Sequence, residues 1–182
     1  MAHELISEEY RELNRKKHQE EESWGSTAPR YAGIVAGLIK SYECDSVLDY
    51  GCGKGDLRDA MPVGVMTNLV HWDEYDPAIK HKASSSQFPM DLVACIDVME
   101  HVEGESLSAV LADIYAIAGK VVFFVIATRP AIHLLPDGSN CHRTIMDGEQ
   151  WLKKLMTWWK IRCYNRLADA EIMVVCEKHK EG

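Results

Sequence analysis

Two apolar rhythms alternate along the chain. Runs at 46–50, 69–75, 91–96 and 121–127 read as strands, and the last, β-branched and aromatic throughout, reads as the centre of a sheet. Around them apolar residues recur at helical spacing. Tyr31, Ile34, Val35, Leu38, Ile39 and Tyr42 make one stripe after Pro29, and Leu107, Val110, Leu111 and Ile114 make another over about 105–118. Asp147 with Gln150 predicts a capping box that opens a helix running to about residue 159. The segment 7–22 is highly charged, with Ile6, Tyr10 and Leu13 on one stripe and Ser7 as N-cap, so a peripheral, lid-like helix is expected there, followed by a polar loop at 23–27. Two final runs, 161–166 and 171–176, are joined by a link too short for a crossover and must pair antiparallel.

A short helix at 56–61 is expected to close at Pro62 and Gly64. Only fourteen residues separate Asp76 from Asp91, so the strand and helix that a regular alternation would place between them must be curtailed. The expected fold is α/β: a mostly parallel sheet of seven strands, or six, with helices on both faces and a C-terminal antiparallel hairpin. One domain is expected over 1–182, with 1–26 an N-terminal helix and loop serving as a lid.

The first strand runs into Asp49-Tyr50-Gly51-Cys52-Gly53-Lys54-Gly55. Three glycines in five positions permit positive φ and remove the Cβ atoms that would hold a ligand away. The spacing is G-x-G-x-G, which is neither a phosphate-cradling P-loop nor the G-x-G-x-x-G of dinucleotide sites. Asp76 closes the second strand 21 residues beyond Gly55, near the distance at which a carboxylate receives ribose hydroxyls in Rossmann-like folds, with Asp73 the weaker alternative. The third strand opens onto Asp97-Val98-Met99-Glu100-His101, on the same crevice. A long polar loop, 128–143, follows the central strand.

In this order the motifs resemble the class I S-adenosylmethionine-dependent methyltransferases, whose apolar first strand ends D-x-G-x-G-x-G. Within them the chain is most similar to small methyltransferase-like proteins of phages and some bacteria. It matches their leading Tyr-and-His helix (Tyr10, Asn14, His18), L-D-Y-G-C-G-K-G, Y-D-P-A-I, D-V-[LM]-E-H, A-T-R-P-A and L-P-D-G-x-N-x-H. It departs at Trp24, where Tyr is common, and at Cys141, where Ala is common. The resemblance implies a Rossmann-like fold that binds S-adenosylmethionine. By it, Asp49, Gly51, Cys52, Gly53 and Gly55 hold the amino acid part of the cofactor, Asp76 its ribose, and Asp97, Val98 and Met99 its sulfonium and adenine side.

Methyl transfer needs the acceptor aligned and, where it carries a proton, deprotonated. Glu100, His101 and His142 are the catalytic candidates, and Tyr10, His18, Arg129 and Asn140 the substrate-binding ones. His101 is equally readable as a structural residue at a strand end. Cys52 reads as a loop filler, since nothing near it in sequence marks an activated thiolate. Glu100, His101, His133 and His142 are of metal-ligating type, but no H-E-x-x-H or similar spacing joins them, and no metal is expected. The tryptophans Trp151, Trp158 and Trp159 read as packing.

Composition narrows the partner. The formal net charge of −8 offers no general attraction to polyanions, so a small-molecule acceptor is favoured over nucleic acid. Six cysteines without C-x-x-C pairs suggest reduced thiols, and no apolar run nears the ~20 residues of a membrane span, so a cytoplasmic protein is expected. Two other readings stay open: a hydrolase or lyase that degrades S-adenosylmethionine, and a cofactor-binding module without turnover.

Overall fold

The structure is a computed structural model that describes residues 4–21, 24–84, 86 and 88–179. Helix α1 (Glu8–Glu20) starts where Ser7 accepts the Tyr10 amide; residue 22, expected as its last, and Ser23 lie outside the described residues. A 3-10 turn (Ala28–Tyr31) leads into α2 (Ala32–Ser41) and β1 (Ser46–Tyr50). The expected helix at 56–61 is shorter, α3 (Asp56–Asp59). Pro62 does not end the helical stretch: it precedes a further turn, α4 (Val63–Met66), as a residue with fixed φ and no N–H readily does. After β2 (His71–Tyr75), a 3-10 turn (Lys80–Lys82) is the only regular piece described before β3 (Met90–Ile96). Then come α5 (Leu107–Ile117), β4 (Ala118–Ala127), α6 (Gly148–Met156), β5 (Trp159–Leu167) and β6 (Glu171–Lys178). Gly119 lies inside β4 rather than ending α5, and Trp159 belongs to β5 rather than α6.

Six strands form one sheet in the order β2-β1-β3-β4-β6-β5. Of the two expected counts, seven and six, the sheet has six, and the described residues of the 77–89 link make no strand. Pairings from β2 through β4 are parallel and the last two antiparallel, so the C-terminal hairpin is as expected. Alternate residues of β4 point to opposite faces and meet separate cores. Val122, Phe124 and Ile126 pack with α5 and with Trp151 and Leu155 of α6. Val121, Phe123 and Val125 pack with Tyr31, Val35 and Ile39 and with Leu57. Burial of each such side chain contributes about 1.5–3 kcal/mol relative to exposure. Ile34, expected on the buried stripe, is 40% exposed. A third small cluster joins Ile6 and Tyr10 to Leu135 and Cys141, fastening α1 to the loop after β4. No helix among the described residues is long and apolar enough to cross a membrane.

Candidate active site

β1 has β2 on one side and β3 on the other, so strand order reverses between β1 and β3. Ligands of open α/β sheets sit beyond the carboxyl ends of the strands at such a reversal. A cavity of about 350 Å³ lies there, walled by the glycine loop, the segments after β2, β3 and β4, and one face of α1. Its size falls in the ~300–1,000 Å³ range of small-molecule pockets.

The glycine loop is tied to the end of β2. The amides of Gly51 and Cys52 donate to the Tyr75 carbonyl at 2.7 and 3.0 Å. Gly51 has φ +76°, and a Cβ there would lie 2.3 Å from Val98 Cγ2, so only glycine lets the loop rest against the turn after β3. The Asp76 carboxylate accepts the Gly53 amide at 3.0 Å and the Ala78 amide at 2.9 Å, bridging the two loops. Lys82 donates to the Gly53 carbonyl at 3.1 Å and pairs with Glu74 at 2.8 Å. Asp49 is buried, its Oδ2 has no partner among the described residues, and burial, reinforced by Glu74, pushes its carboxyl up to about 8. Cys52 is buried with its thiol pushed far up by the same desolvation, which makes it inert packing.

The turn after β3 carries the acids and histidines. Asp97 adopts φ +53°, a left-handed conformation that Asp tolerates better than most residues. Its Oδ1 is buried without a partner, and burial raises its carboxyl while a Thr27 hydrogen bond opposes the shift. Glu100 is fully buried. Its Oε1 accepts the Ala127 amide at 2.8 Å, Oε2 has no partner among the described residues, and desolvation holds the acid well above its usual range. His101 Nδ1 donates to the Cys141 carbonyl at 3.0 Å, and His142 Nδ1 to the Arg129 carbonyl at 2.6 Å. A carbonyl can only accept, so each Nδ1 bears the proton and each neutral ring keeps its Nε2 lone pair. Burial, with His142 beside it, pulls His101 down to about 3; burial lowers His142 as well. The two rings stand edge to face with centres 4.8 Å apart.

Helix α1 roofs the cavity. Ser7 donates from its backbone and its hydroxyl to Glu103 at 2.8 and 2.7 Å, and the Tyr10 hydroxyl donates to Cys141 O at 3.0 Å. One carbonyl, that of Cys141, therefore receives both the lid tyrosine and His101. His18 Nε2 stands 3.9 Å from Asp76 Oδ2, and burial outweighs that carboxylate to lower the imidazole.

A family model described as a methyltransferase domain matches residues 11–169. The chain belongs to this methyltransferase family. No curated protein sequence matches it. Solved structures share its fold at low identity. DhpI in complex with S-adenosylhomocysteine has a TM-score of 0.64 at 14% identity, covering 94% of this chain and 97% of its own. The Burkholderia thailandensis 1,6-didemethyltoxoflavin-N1-methyltransferase gives 0.64 at 14%, covering 94% and 90%. The Synechocystis magnesium protoporphyrin IX methyltransferase gives 0.57 at 13%, covering 83% of each chain.

The cavity gathers most of the site residues expected from sequence. Tyr10, His18, Gly51, Gly53, Asp76, Asp97, Val98, Glu100, His101, Arg129 and His142 all line the cavity. Asp49, Cys52 and Gly55 are buried and do not line it, and Met99 is buried in the core. Asn140, expected at the substrate, instead staples its own loop: its Oδ1 accepts the Ala131 and His142 amides and its Nδ2 donates to the Ala131 carbonyl. Sequence reasoning gave no role to Trp24, whose ring meets His18, His101 and His133 and lies under the Lys17 ammonium. It also passed over Glu103 and Glu171. Glu171, across the sheet from Ala127, accepts the Tyr31 hydroxyl at 2.9 Å, and a lone acid opening a strand beside the crevice was its only signal.

Proposed function

We propose that this methyltransferase moves the methyl group of S-adenosylmethionine to a small-molecule acceptor. The observation that carries the reading is one cavity at the strand reversal, lined by the glycine loop, by the Asp76 and Asp97 carboxylates and by two imidazoles whose Nδ1 atoms are held by backbone carbonyls. The fit to the cofactor rests on charge. S-adenosylmethionine is cationic at sulfur and at its amino group, and Asp97, which lines the cavity, has an Oδ1 without a partner among the described residues.

When bound, the cofactor supplies an electrophilic methyl on a sulfonium, which leaves as a neutral thioether. The glycine-loop backbone at Gly51 and Gly53 takes the amino acid part. Among the described residues each Asp76 oxygen accepts one hydrogen bond, Oδ2 from Gly53 and Oδ1 from Ala78, and so retains a lone pair for a ribose hydroxyl. Asp97 and Val98 border the sulfonium. His142 Nε2 receives the acceptor's proton as the acceptor–methyl bond forms, while Glu100 and His101 hold that end of the site in shape. The acid-rich chain and the roof of α1 suit a small acceptor, and the solved structures named for 1,6-didemethyltoxoflavin and magnesium protoporphyrin IX support that class.

Titration with S-adenosylhomocysteine tests the reading. One molecule should bind per chain, with at least about tenfold weaker binding in Asp76→Ala, the loss of two charged hydrogen bonds at ~1.5 kcal/mol or more in sum. A folded protein that binds neither S-adenosylmethionine nor S-adenosylhomocysteine would overturn it. Rapid breakdown of S-adenosylmethionine without any acceptor would replace transfer by degradation.

A further inference from the structure

Glu100, His101 and His142 come from the turn after β3 and the loop after β4, and one ligating atom of each lies within 4.8 Å of the other two. We propose that these three side chains form a binding site for a first-row divalent transition-metal cation, held by His101 Nε2, His142 Nε2 and a Glu100 carboxylate oxygen, with its open positions facing the cavity.

Three independent observations support the site. Both imidazoles are oriented by Nδ1–H bonds to backbone carbonyls, Cys141 at 3.0 Å and Arg129 at 2.6 Å, leaving Nε2 as the free donor of an electron pair. That is the outer shell by which metal-binding histidines are aimed. Glu100 is 0% exposed, with Oε1 fixed by the Ala127 amide and Oε2 partnerless among the described residues. A buried carboxylate oxygen left without a partner is costly, and a cation supplies one. The ring centres of His101 and His142 are 4.8 Å apart with planes at 87°. Two imidazoles bound at about 2.1 Å and near right angles around one cation place their centres about 4.5–5 Å apart. Binding then draws the ligand atoms in by up to about 1.3–1.8 Å, to the ~3–3.5 Å separations of a filled site.

Two nitrogens and one carboxylate suit Zn²⁺, Co²⁺, Fe²⁺ or Mn²⁺ better than Mg²⁺ or Ca²⁺, which take oxygen ligands. His133 is not part of the set: it lies against Trp24 and 3.8 Å from Glu21. The use of the cation rests on the methyltransferase reading. An acceptor oxygen or nitrogen held in an open position would be oriented toward the methyl group and would lose its proton more easily. His101 and His142 would then act as ligands, and the acceptor's proton would pass to solvent rather than to His142.

The test uses the full chain, free of any purification tag and stripped with a chelator. Co²⁺ is followed by its visible absorption, Mn²⁺ by loss of the free-ion electron paramagnetic resonance signal and Zn²⁺ by calorimetry, all without S-adenosylmethionine. One cation should bind per chain, and Glu100→Gln, His101→Gln and His142→Gln should each weaken it about 100-fold or more, beyond the ~10–100-fold of outer-shell changes. His81→Ala, at an exposed histidine elsewhere, should leave affinity unchanged. Thermal melts check folding, and if Glu100→Gln fails to fold, the two histidine variants decide. Absence of stoichiometric binding, or equal affinity in His142→Gln and the unaltered protein, overturns the site. Because these titrations omit the cofactor, intact cation binding with no S-adenosylhomocysteine binding would sink the methyltransferase reading alone.

Discussion

At the scale of single residues, Asp49 shows how a buried acid strains its own fold. Its carboxyl ionises at about 8 in the folded protein against an ordinary 3.8, because burial disfavours the charge and Glu74 repels it. Between those values the unfolded chain has released a proton that the folded one keeps, so this group's contribution makes stability fall as pH rises from about 4 to 8. Asn at this position carries no such dependence. The melting temperature of Asp49→Asn should therefore gain on that of the unaltered protein between pH 5 and pH 8, while S-adenosylhomocysteine binding weakens. A gap that stays constant or closes over that range would refute the assignment. Gly51 makes the complementary case in backbone geometry. Gly51→Ala forces a left-handed alanine, costing about 1–2 kcal/mol, and drives its methyl into Val98. Its melting temperature should drop and cofactor binding should suffer, whereas alanine at Gly33, which has open space around it, should leave binding intact.

At the scale of elements, two helix starts have different jobs. The α6 capping box is complete, with Asp147 accepting the Gln150 amide at 2.8 Å and Gln150 accepting the Asp147 amide at 2.9 Å. Asp147→Ala should cost about 1 kcal/mol, or ~2–4 °C in melting temperature, without touching ligand binding. Ser7 at the start of α1 instead reaches across 96 residues to Glu103. Glu103→Ala should free the first turn of the roof, seen as faster amide exchange over 8–20, and should weaken S-adenosylhomocysteine binding several-fold. Unchanged exchange there would show that Tyr10 and Cys141 hold the helix alone. These caps were legible because an N-cap signal is local, whereas the Glu103 contact was not, since nothing in the spacing of Ser7 and Glu103 announces it.

For the whole molecule, a ligand that binds only the folded state stabilises it by mass action. S-adenosylhomocysteine at a hundred times its dissociation constant should add about 2.7 kcal/mol, raising the melting temperature by ~5–10 °C, with the shift sharply reduced in Asp76→Ala. A raised melting temperature of equal size in both proteins would point to binding elsewhere. The sequence by itself determined the alternation of strands and helices, the terminal hairpin and the glycine loop, because periodicity, chain-length limits and glycine's free φ act over a few residues. It left the count at seven strands or six, because the short link after Asp76 is where a regular alternation would place one more. Tertiary structure alone decided the rest. It turned Asn140 into a loop staple, brought Trp24 among three histidines and tied the expected lid helix α1 to Glu103 and Cys141. It also set Glu100 and His101 against His142, some forty residues on, by docking the loop after β4 onto the turn after β3. The spacing of those residues along the chain carries no trace of that meeting, because it depends on which loops share one end of the sheet.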